Sequence, residues 1–236
     1  ATVAKPGVAL GEAIENIDIG GVSLIRAAAK NASRVAVVVR PSRYADVLKA
    51  LRLEKSVPAR LREALALEAF ECTSRYDAAI YNYLAKKQGH ALPPALRLAY
   101  EKISDLRYGE NPYQKAALYR EPFPHAATAT AEKLQGKELS YNNLIDLDAA
   151  LRVATEFERP TAVVIKHTNP SGVAVSSRLA EAYEAAHDAD PISAYGGVVG
   201  LNRTVDIATA RKMKRDVLDA VIAPGYEPEA LDLLKA

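Results

Sequence analysis

The chain has 236 residues, 49% hydrophobic and 25% charged, and its 31 basic and 29 acidic side chains leave a net charge of +2. This balance is typical of a globular protein and argues against a nucleic-acid-binding surface, so any anion recognition must be local. The single cysteine, Cys72, excludes an intrachain disulfide, and no apolar run reaches the roughly 20 residues that cross a bilayer, so we expect a cytoplasmic protein.

The first part of the chain predicts helices and one strand. Helices are expected over 8–15, 22–31, 42–51 and 58–87, and in the last of these apolar residues recur every three or four positions. The β-branched segment 34–40 predicts a short strand that is buried on both faces. On the longest helix, Cys72 is expected to be a small buried hydrophobe.

A Gly/Pro cluster at 89–94 predicts a boundary between two domains, 1–92 and 93–236. Beyond it, strands are expected over 161–167, 196–202 and 221–223. Helices are expected over 142–158, 178–188, 206–217 and from 228 onward. This alternation favours α/β layers with at least partly parallel sheets on both sides of the boundary.

The most polar motif is residues 106–114, Leu-Arg-Tyr-Gly-Glu-Asn-Pro-Tyr-Gln. Its Asn-Pro step predicts a rigid turn, and Arg107 has the planar fork of donors that suits a phosphate or carboxylate. The alternative interpretation is a turn that satisfies only its own hydrogen bonds.

A second motif, residues 165–172, follows an apolar strand at the end where α/β sheets bind ligands. Neighbouring residues on a strand face opposite ways, so Lys166 and His167 share a site only where the strand breaks. Pro170 is expected to cause that break. The alternative is a solvated strand end with an incidental histidine.

Three weaker signals complete the polar motifs. In residues 190–197, Gly196 allows close backbone approach to a planar ligand and Tyr195 offers a ring to stack on it, although Tyr195 fits a core position equally well. Before the helix at 142, one of two asparagines is expected to cap the helix and leave the other free for a ligand. Near the start of the chain, Asp18 and Gly20 precede a helix whose N–H groups favour anions.

Together these motifs resemble the bifunctional family of purine biosynthesis that joins AICAR formyltransferase to IMP cyclohydrolase, AICAR being 5-aminoimidazole-4-carboxamide ribonucleotide. Residues 17–31 resemble the late cyclohydrolase segment, and the later motifs resemble formyltransferase segments in the family's order. The resemblance implies the C-terminal part of an MGS-like (Rossmann-like) cyclohydrolase domain over 1–92. Residues 93–236 would then be the N-terminal part of a cytidine-deaminase-like formyltransferase domain.

The resemblance also implies roles in formyl transfer from 10-formyltetrahydrofolate to AICAR. His167 matches the proton acceptor, and Lys166 matches the group that assists proton transfer and stabilises charge. Arg107, directed at the phosphate, and Tyr108 match AICAR-binding positions. Asn143 matches a substrate contact.

Further matches concern the ligand surroundings and the second reaction. Tyr195 and Gly196 match an aromatic–glycine pair near the ligands, where the family more often has Phe. Asp18 and Lys30 match residues that position and activate the formylated intermediate FAICAR for closure to IMP, and Gly20 lies near them. The residues imply no metal, and the implied partners are AICAR, FAICAR or IMP, folate and a second subunit of a homodimer.

Family members are more than twice as long, and this chain lacks an initiator Met, so we expect an internal fragment with both sites incomplete and little activity alone. A zinc deaminase, which shares the implied fold, needs more cysteine ligands than one. The remaining alternative is a folded nucleotide-binding remnant without catalysis, which would bind AICAR but not convert it.

Overall fold

The computed structural model describes residues 7–121 and 127–235. The chain divides into two compact units between residues 99 and 100, beyond the boundary predicted after residue 92. Within the described ranges, no helix combines the length and the apolarity that a bilayer span requires.

The first unit is helical over its described residues, as most of its sequence patterns predict. Its elements are α1 (Leu10–Glu15), α2 (Gly20–Lys30), a 3-10 turn (Pro41–Arg43), α3 (Tyr44–Glu54) and α4 (Ala59–Lys87). Helix α2 packs on α4 through small residues, with Ala29, Ala66 and Ala69 buried together. Cys72 on α4 is half-buried, less enclosed than expected.

The strand predicted over 34–40 is wrong, because the structure gives this segment no strand partner. A strand requires a neighbour for its N–H and C=O groups, and residues 7–99 contain no other strand. The valines instead pack on the helices, with Val37 and Val39 against the Ala29 cluster. The expected parallel sheet in this half is therefore absent from residues 7–99.

The second unit is a mixed α/β layer structure. A hairpin of β1 (Glu101–Asp105) and β2 (Ala117–Arg120) precedes a four-stranded sheet in the order β4-β3-β5-β6. The strands of that sheet are β3 (Thr161–Lys166), β4 (Asn169–Val175), β5 (Gly197–Leu201) and β6 (Leu218–Ile222). The helices are α5 (Tyr141–Thr155), α6 (Leu179–Asp188), α7 (Pro191–Ala194), α8 (Ile207–Met213) and α9 (Pro228–Lys235).

The sheet is partly parallel, as predicted for this half. Strands β5 and β6 are parallel, whereas β3 runs antiparallel to both β4 and β5. Strand β3 is buried from Thr161 to Ile165, with alternate residues in two separate cores. Helix α5 covers one face, and α6, α8 and α9 cover the other.

Two glycines let helices lie directly on the sheet. A Cβ at Gly172 of β4 would lie 1.8 Å from the carbonyl oxygen of Ala186 on α6. A Cβ at Gly200 of β5 would lie 2.5 Å from the carbonyl oxygen of Ala150 on α5. Both distances are far below contact, so these positions require glycine for helix–sheet packing.

We expect the stability of the second unit to fall at alkaline pH through Tyr226. Burial raises the pKa of Tyr226 to about 12 from its ordinary 10.0. Between these values the unfolded chain loses the phenol proton while the folded chain keeps it, so rising pH favours unfolding. The full effect is about 3 kcal/mol, because one pKa unit corresponds to about 1.4 kcal/mol. Tyr226→Phe should reduce this loss in urea unfolding between pH 10 and 12, and the part that remains belongs to Tyr183, whose pKa burial also raises.

The matched control is Tyr113→Phe, because the Tyr113 side chain is 85% exposed. It should leave the alkaline slope unchanged. Equal slopes for the Tyr226→Phe variant and the unsubstituted chain would contradict the assignment.

Candidate functional site

The motif at 165–172 forms a tight hairpin. Strand β3 ends at Lys166, which pairs with Asn169 of β4, and His167 and Thr168 form the two-residue connection. Both have positive φ, 53° and 63°, the pattern of hairpin turns that usually contain Asn-Gly. A left-handed conformation costs a non-glycine residue about 1–3 kcal/mol. Such strain often marks a functional position.

The break in the strand is real, but its predicted cause is wrong. Pro170 lies inside edge strand β4, opposite Ile165, next to a register shift after Val164. Edge strands and bulges accept proline because no ladder N–H is required there. The change of direction comes from the turn at His167 and Thr168, whose side chains are exposed.

Hydrogen bonds hold this turn from inside and outside the hairpin. Inside, the Thr168 hydroxyl and the Asn169 side-chain amide donate to the His167 carbonyl oxygen, at 2.7 and 3.0 Å. From outside, Oδ1 of Asp146 on α5 accepts the backbone N–H of Thr168 at 2.7 Å. The turn is therefore fastened to helix α5.

Lys166 joins the hairpin to the Tyr195 motif. Its Nζ donates to the Tyr195 carbonyl oxygen at 2.5 Å. Tyr195 is 65% exposed, so the core interpretation of its ring is wrong. Gly196 has φ 66° and donates its N–H to the Val217 carbonyl oxygen at 2.8 Å. Lys166 is thus fixed to the backbone of the segment that carries the exposed Tyr195 ring and Gly196.

Asp190 holds the short helix that precedes Tyr195. Its carboxylate accepts both the N–H and the hydroxyl of Ser193, at 3.0 and 2.6 Å. These hydrogen bonds from Ser193 keep the pKa of Asp190 below its ordinary value. The carboxylate caps helix α7 and fixes the chain leading to the carbonyl that receives Lys166.

The motif at 106–114 is a rigid turn with an exposed guanidinium. Gln114 closes it, accepting the Gly109 N–H on its backbone oxygen at 3.0 Å and the Asn111 N–H on its side chain at 2.9 Å. Arg107 lies over the Tyr108 ring, 4.8 Å from the ring centroid, and donates to the phenol oxygen at 3.1 Å. The turn forms hydrogen bonds with its own backbone groups, as the alternative interpretation expects. It also presents the Arg107 guanidinium, held in place by the Tyr108 ring.

The start of α5 corrects the expected cap. Ser140, not an asparagine, is the N-cap residue, and it forms a reciprocal capping box with Asn143. The Asn143 Oδ1 accepts from the backbone and hydroxyl of Ser140 at 3.1 and 3.0 Å, and the Asn142 amide donates to the Glu110 carbonyl oxygen at 3.2 Å. Neither asparagine side chain is wholly free, because each already makes a hydrogen bond. Asn143 can offer only its side-chain N–H₂ to a ligand, since Ser140 engages its Oδ1.

We expect Ser140→Ala to destabilise the second unit by about 1 kcal/mol, the usual cost of losing a serine cap. The Asn143 N–H loses its 3.2 Å acceptor, the hydroxyl of the buried Ser140, and the start of α5 frays. Denaturant unfolding measures the change. Ser177→Ala, at an exposed position, is the control. Equal stability of the two variants would show that the capping box contributes nothing.

Helix α5 connects the two principal motifs. At its start, the Arg107 N–H donates to the Leu139 carbonyl oxygen at 2.9 Å and the Tyr141 N–H donates to the Tyr108 carbonyl oxygen at 3.1 Å. Further along, Asp146 holds the His167 turn. The arginine–tyrosine loop and the lysine–histidine hairpin are therefore brought to the same helix.

Sequence reasoning missed Asp146, because a charged residue on an amphipathic helix usually belongs to its solvated face. A signal was present in the spacing. Asp146 follows Asn143 by three positions, so both side chains lie on one face of α5. This face of α5 therefore extends from the Tyr108 loop, at the start of the helix, to the turn at His167 and Thr168.

In the first unit, the predicted cyclohydrolase residues are not brought together. Asp18 lies before α2, where its Oδ1 accepts the Gly21 N–H at 2.9 Å and its own N–H donates to the Tyr76 hydroxyl at 2.7 Å. Gly20 begins the helix and Lys30 ends it. The ten residue steps between them correspond to a rise of about 15 Å along the helix axis. At the start of the helix, the Asp18 carboxylate is itself an anion that accepts a backbone N–H of the first turn.

A cavity of about 150 Å³ lies between α6 and the end of α8, lined by side chains that include Tyr183, His187, Lys212 and Asp216. The Tyr183 hydroxyl donates to Asp216 at 2.6 Å. Burial, followed by this bond, raises the pKa of Tyr183 above its ordinary value. None of the predicted site residues lines this cavity.

The fold and the clustered motifs define a mixed α/β protein whose second unit presents a cation, aromatic rings and a strained histidine along one helix. A family model described as the AICARFT/IMPCHase bienzyme matches residues 28–236. The chain belongs to this family.

Relatives named bifunctional purine biosynthesis protein PurH are similar along almost the whole chain. Those of Thermoanaerobacter sp. (strain X514) and Halalkalibacterium halodurans are each 48% identical over 234 residues, 99% of this chain and 46% of the relative. The Bacillus cereus (strain B4264) relative is 48% identical over 236 residues, all of this chain and 46% of the relative. The chain thus spans about half the length of the curated relatives it matches.

Proposed function

We propose that this chain contributes to a bifunctional enzyme of purine biosynthesis, which transfers a formyl group from 10-formyltetrahydrofolate to AICAR and then closes FAICAR to IMP. One observation carries the proposal: helix α5 holds the Arg107–Tyr108 loop at its start and the His167 turn through Asp146. A nucleotide that reaches from a phosphate-binding arginine to a base would fit this arrangement.

The chemistry of formyl transfer requires the groups that the hairpin presents. The 5-amino group of AICAR is a weak nucleophile, because its lone pair is delocalised into the imidazole carboxamide. It needs a base for its proton and a positive charge near the tetrahedral oxyanion. We assign the base to His167 and the charge to Lys166, whose Nζ is oriented by the Tyr195 carbonyl oxygen.

The remaining groups would bind the nucleotide. The Arg107 guanidinium, pre-oriented over the Tyr108 ring, suits the phosphate. The Asn143 side-chain N–H₂ suits an acceptor on the substrate, since its Oδ1 is engaged by Ser140. The exposed Tyr195 ring and the adjacent Gly196 suit the face of a planar ligand.

For ring closure, we propose that Asp18 and Gly20 contact the ligand at the start of α2 and that Lys30 acts separately at its end. The separation of the two ends along α2 supports distinct roles. The MGS-like and cytidine-deaminase-like descriptions, with 1–92 assigned to the cyclohydrolase and 93–236 to the formyltransferase, are part of this proposal. So are the folate donor, the homodimer, a cytoplasmic setting and a chemistry without metal.

The activity is proposed for a protein of the relatives' length, because this chain matches 46% of them. We expect the 236 residues alone to bind AICAR weakly and to turn it over little or not at all. Binding without turnover by the chain alone therefore does not separate an enzyme from a nucleotide-binding protein. The test needs the remaining length.

The decisive experiment uses a chimera in which this sequence replaces the matching 46% of the Thermoanaerobacter relative. It should convert AICAR and 10-formyltetrahydrofolate to IMP, and FAICAR alone to IMP. A folded chimera that binds AICAR without formylating it would contradict the assignment of residues 93–236 and favour a non-catalytic nucleotide-binding role.

A further inference from the structure

We infer that Asp146 is a positioning residue for His167, an inference that rests on the proposed function. Its Oδ1 accepts the Thr168 backbone N–H at 2.7 Å, although the two residues lie 22 positions apart in the sequence. Asp146 thereby holds the turn in its left-handed conformation and fixes the direction in which the His167 imidazole leaves the hairpin.

The turn needs an external partner because its residues disfavour its shape. Two-residue hairpins with positive φ at both positions usually contain Asn and Gly, whereas this one contains His and the β-branched Thr. The hydrogen bonds from Thr168 and Asn169 to the His167 carbonyl oxygen lie within the turn, so they cannot orient it against the fold. The short bond to a carboxylate provides that orientation.

The place of Asp146 on α5 relates the base to the nucleotide loop. The Tyr141 N–H at the start of the helix donates to the Tyr108 carbonyl oxygen. Asp146 follows Tyr141 by five residues, a rise of about 7.5 Å along a rigid helix. The helix therefore acts as a spacer between the arginine–tyrosine loop and the histidine.

Positioning, and not proton transfer, is the role that the contacts support. Asp146 is half-buried, and one carboxylate oxygen is engaged by the Thr168 N–H. A general base works only within hydrogen-bond reach of its proton. A displacement of about 1 Å in a catalytic group can cost about 10²-fold in rate.

The first measurement is amide hydrogen exchange at Thr168 in the 236-residue chain, followed by NMR. Asp146→Ala should accelerate exchange at this amide by about tenfold or more, as expected for loss of a bond to a charged acceptor. Asp146→Asn keeps an oxygen acceptor and should retain most of the protection. Asp148→Ala is the control, because Asp148 pairs with Arg152 on the same helix and should leave Thr168 unchanged.

The second measurement is steady-state kinetics in the full-length chimera. Asp146→Ala should lower kcat for formyl transfer by about 10²-fold, with a smaller change in the KM for AICAR and no change in FAICAR closure. Asp146→Asn, which keeps an oxygen acceptor for the Thr168 N–H, should retain much of the kcat that Asp146→Ala loses.

Unchanged exchange at Thr168 in the Asp146→Ala chain would overturn this inference, whatever the kinetics show. An Asp146→Asn variant that protects Thr168 from exchange but loses as much kcat as Asp146→Ala would also overturn it, because Asp146 would then act on something other than the turn. Absence of formyl transfer in the unsubstituted chimera would instead overturn the proposed function, and the exchange data would still decide whether Asp146 holds the turn.

Discussion

His167→Ala in the full-length chimera should lower formyl transfer by about 10²–10⁴-fold, the range that a positioned general base contributes, while FAICAR closure is unchanged. The imidazole is the titratable group that the strained turn presents, and alanine removes it without altering the hairpin pairing between Lys166 and Asn169. Separate steady-state assays with AICAR plus folate and with FAICAR measure the two activities.

Two controls separate loss of the base from loss of structure. His90→Ala removes an exposed histidine before the division between the units and should leave both activities unchanged. Circular dichroism melting of the His167→Ala variant should match that of the unsubstituted protein. An equal loss of both activities would break the assignment of His167 to formyl transfer.

Gly172→Ala should destabilise the second unit by about 3 kcal/mol or more, at the upper end for overpacking. The added Cβ would lie 1.8 Å from the Ala186 carbonyl oxygen and 2.8 Å from its carbon, so β4 and α6 must separate. Thermal unfolding should show a fall in Tm on the order of 10 °C. Since β4 pairs with β3 beside the turn, formyl transfer in the chimera should also fall.

Gly225→Ala is the matched control. Its Cβ would meet Thr204 at 3.7 Å, an ordinary contact, and its backbone is not left-handed. It should change Tm little. A Gly172→Ala protein as stable as the Gly225→Ala protein would contradict the close packing of α6 on the sheet.

The helices were predictable because their apolar residues recur at helical spacing. The pattern in 58–87 corresponds to α4 (Ala59–Lys87) and that in 142–158 to α5 (Tyr141–Thr155). Each signal is local, so neighbouring residues suffice to produce it. Strand pairing is not local, and for that reason 34–40 was assigned to a strand that has no neighbour in residues 7–99.

Strand β4 was missed for a related reason. Its first residues, Asn-Pro-Ser-Gly, have the composition of a loop, and only pairing with β3 makes them a strand. Gly172 is required there by the approach of α6, which the sequence alone does not show. Edge position and a bulge then accommodate Pro170.

The candidate site was predictable where polar residues cluster against the apolar background. Arg107, Lys166 and Tyr195 were singled out in this way, whereas the hydrogen bond from Lys166 to the Tyr195 carbonyl oxygen was not foreseen. Asp146 was missed because its partner is a backbone N–H far along the chain, and its spacing from Asn143 does not by itself identify that partner. Asp18 and Lys30 show that closeness in the sequence can also mislead. They lie in one sequence motif, but at opposite ends of helix α2.

Chemical-shift perturbation by AICAR in the 236-residue chain tests the central claim most directly, namely that the Arg107–Tyr108 loop and the His167 turn form one nucleotide site. The amides of Tyr108, Gly109 and Thr168 should shift along a single saturation curve, and Arg107→Ala should weaken all three responses together. Shifts confined to one of the two motifs, or none at millimolar AICAR, would contradict it.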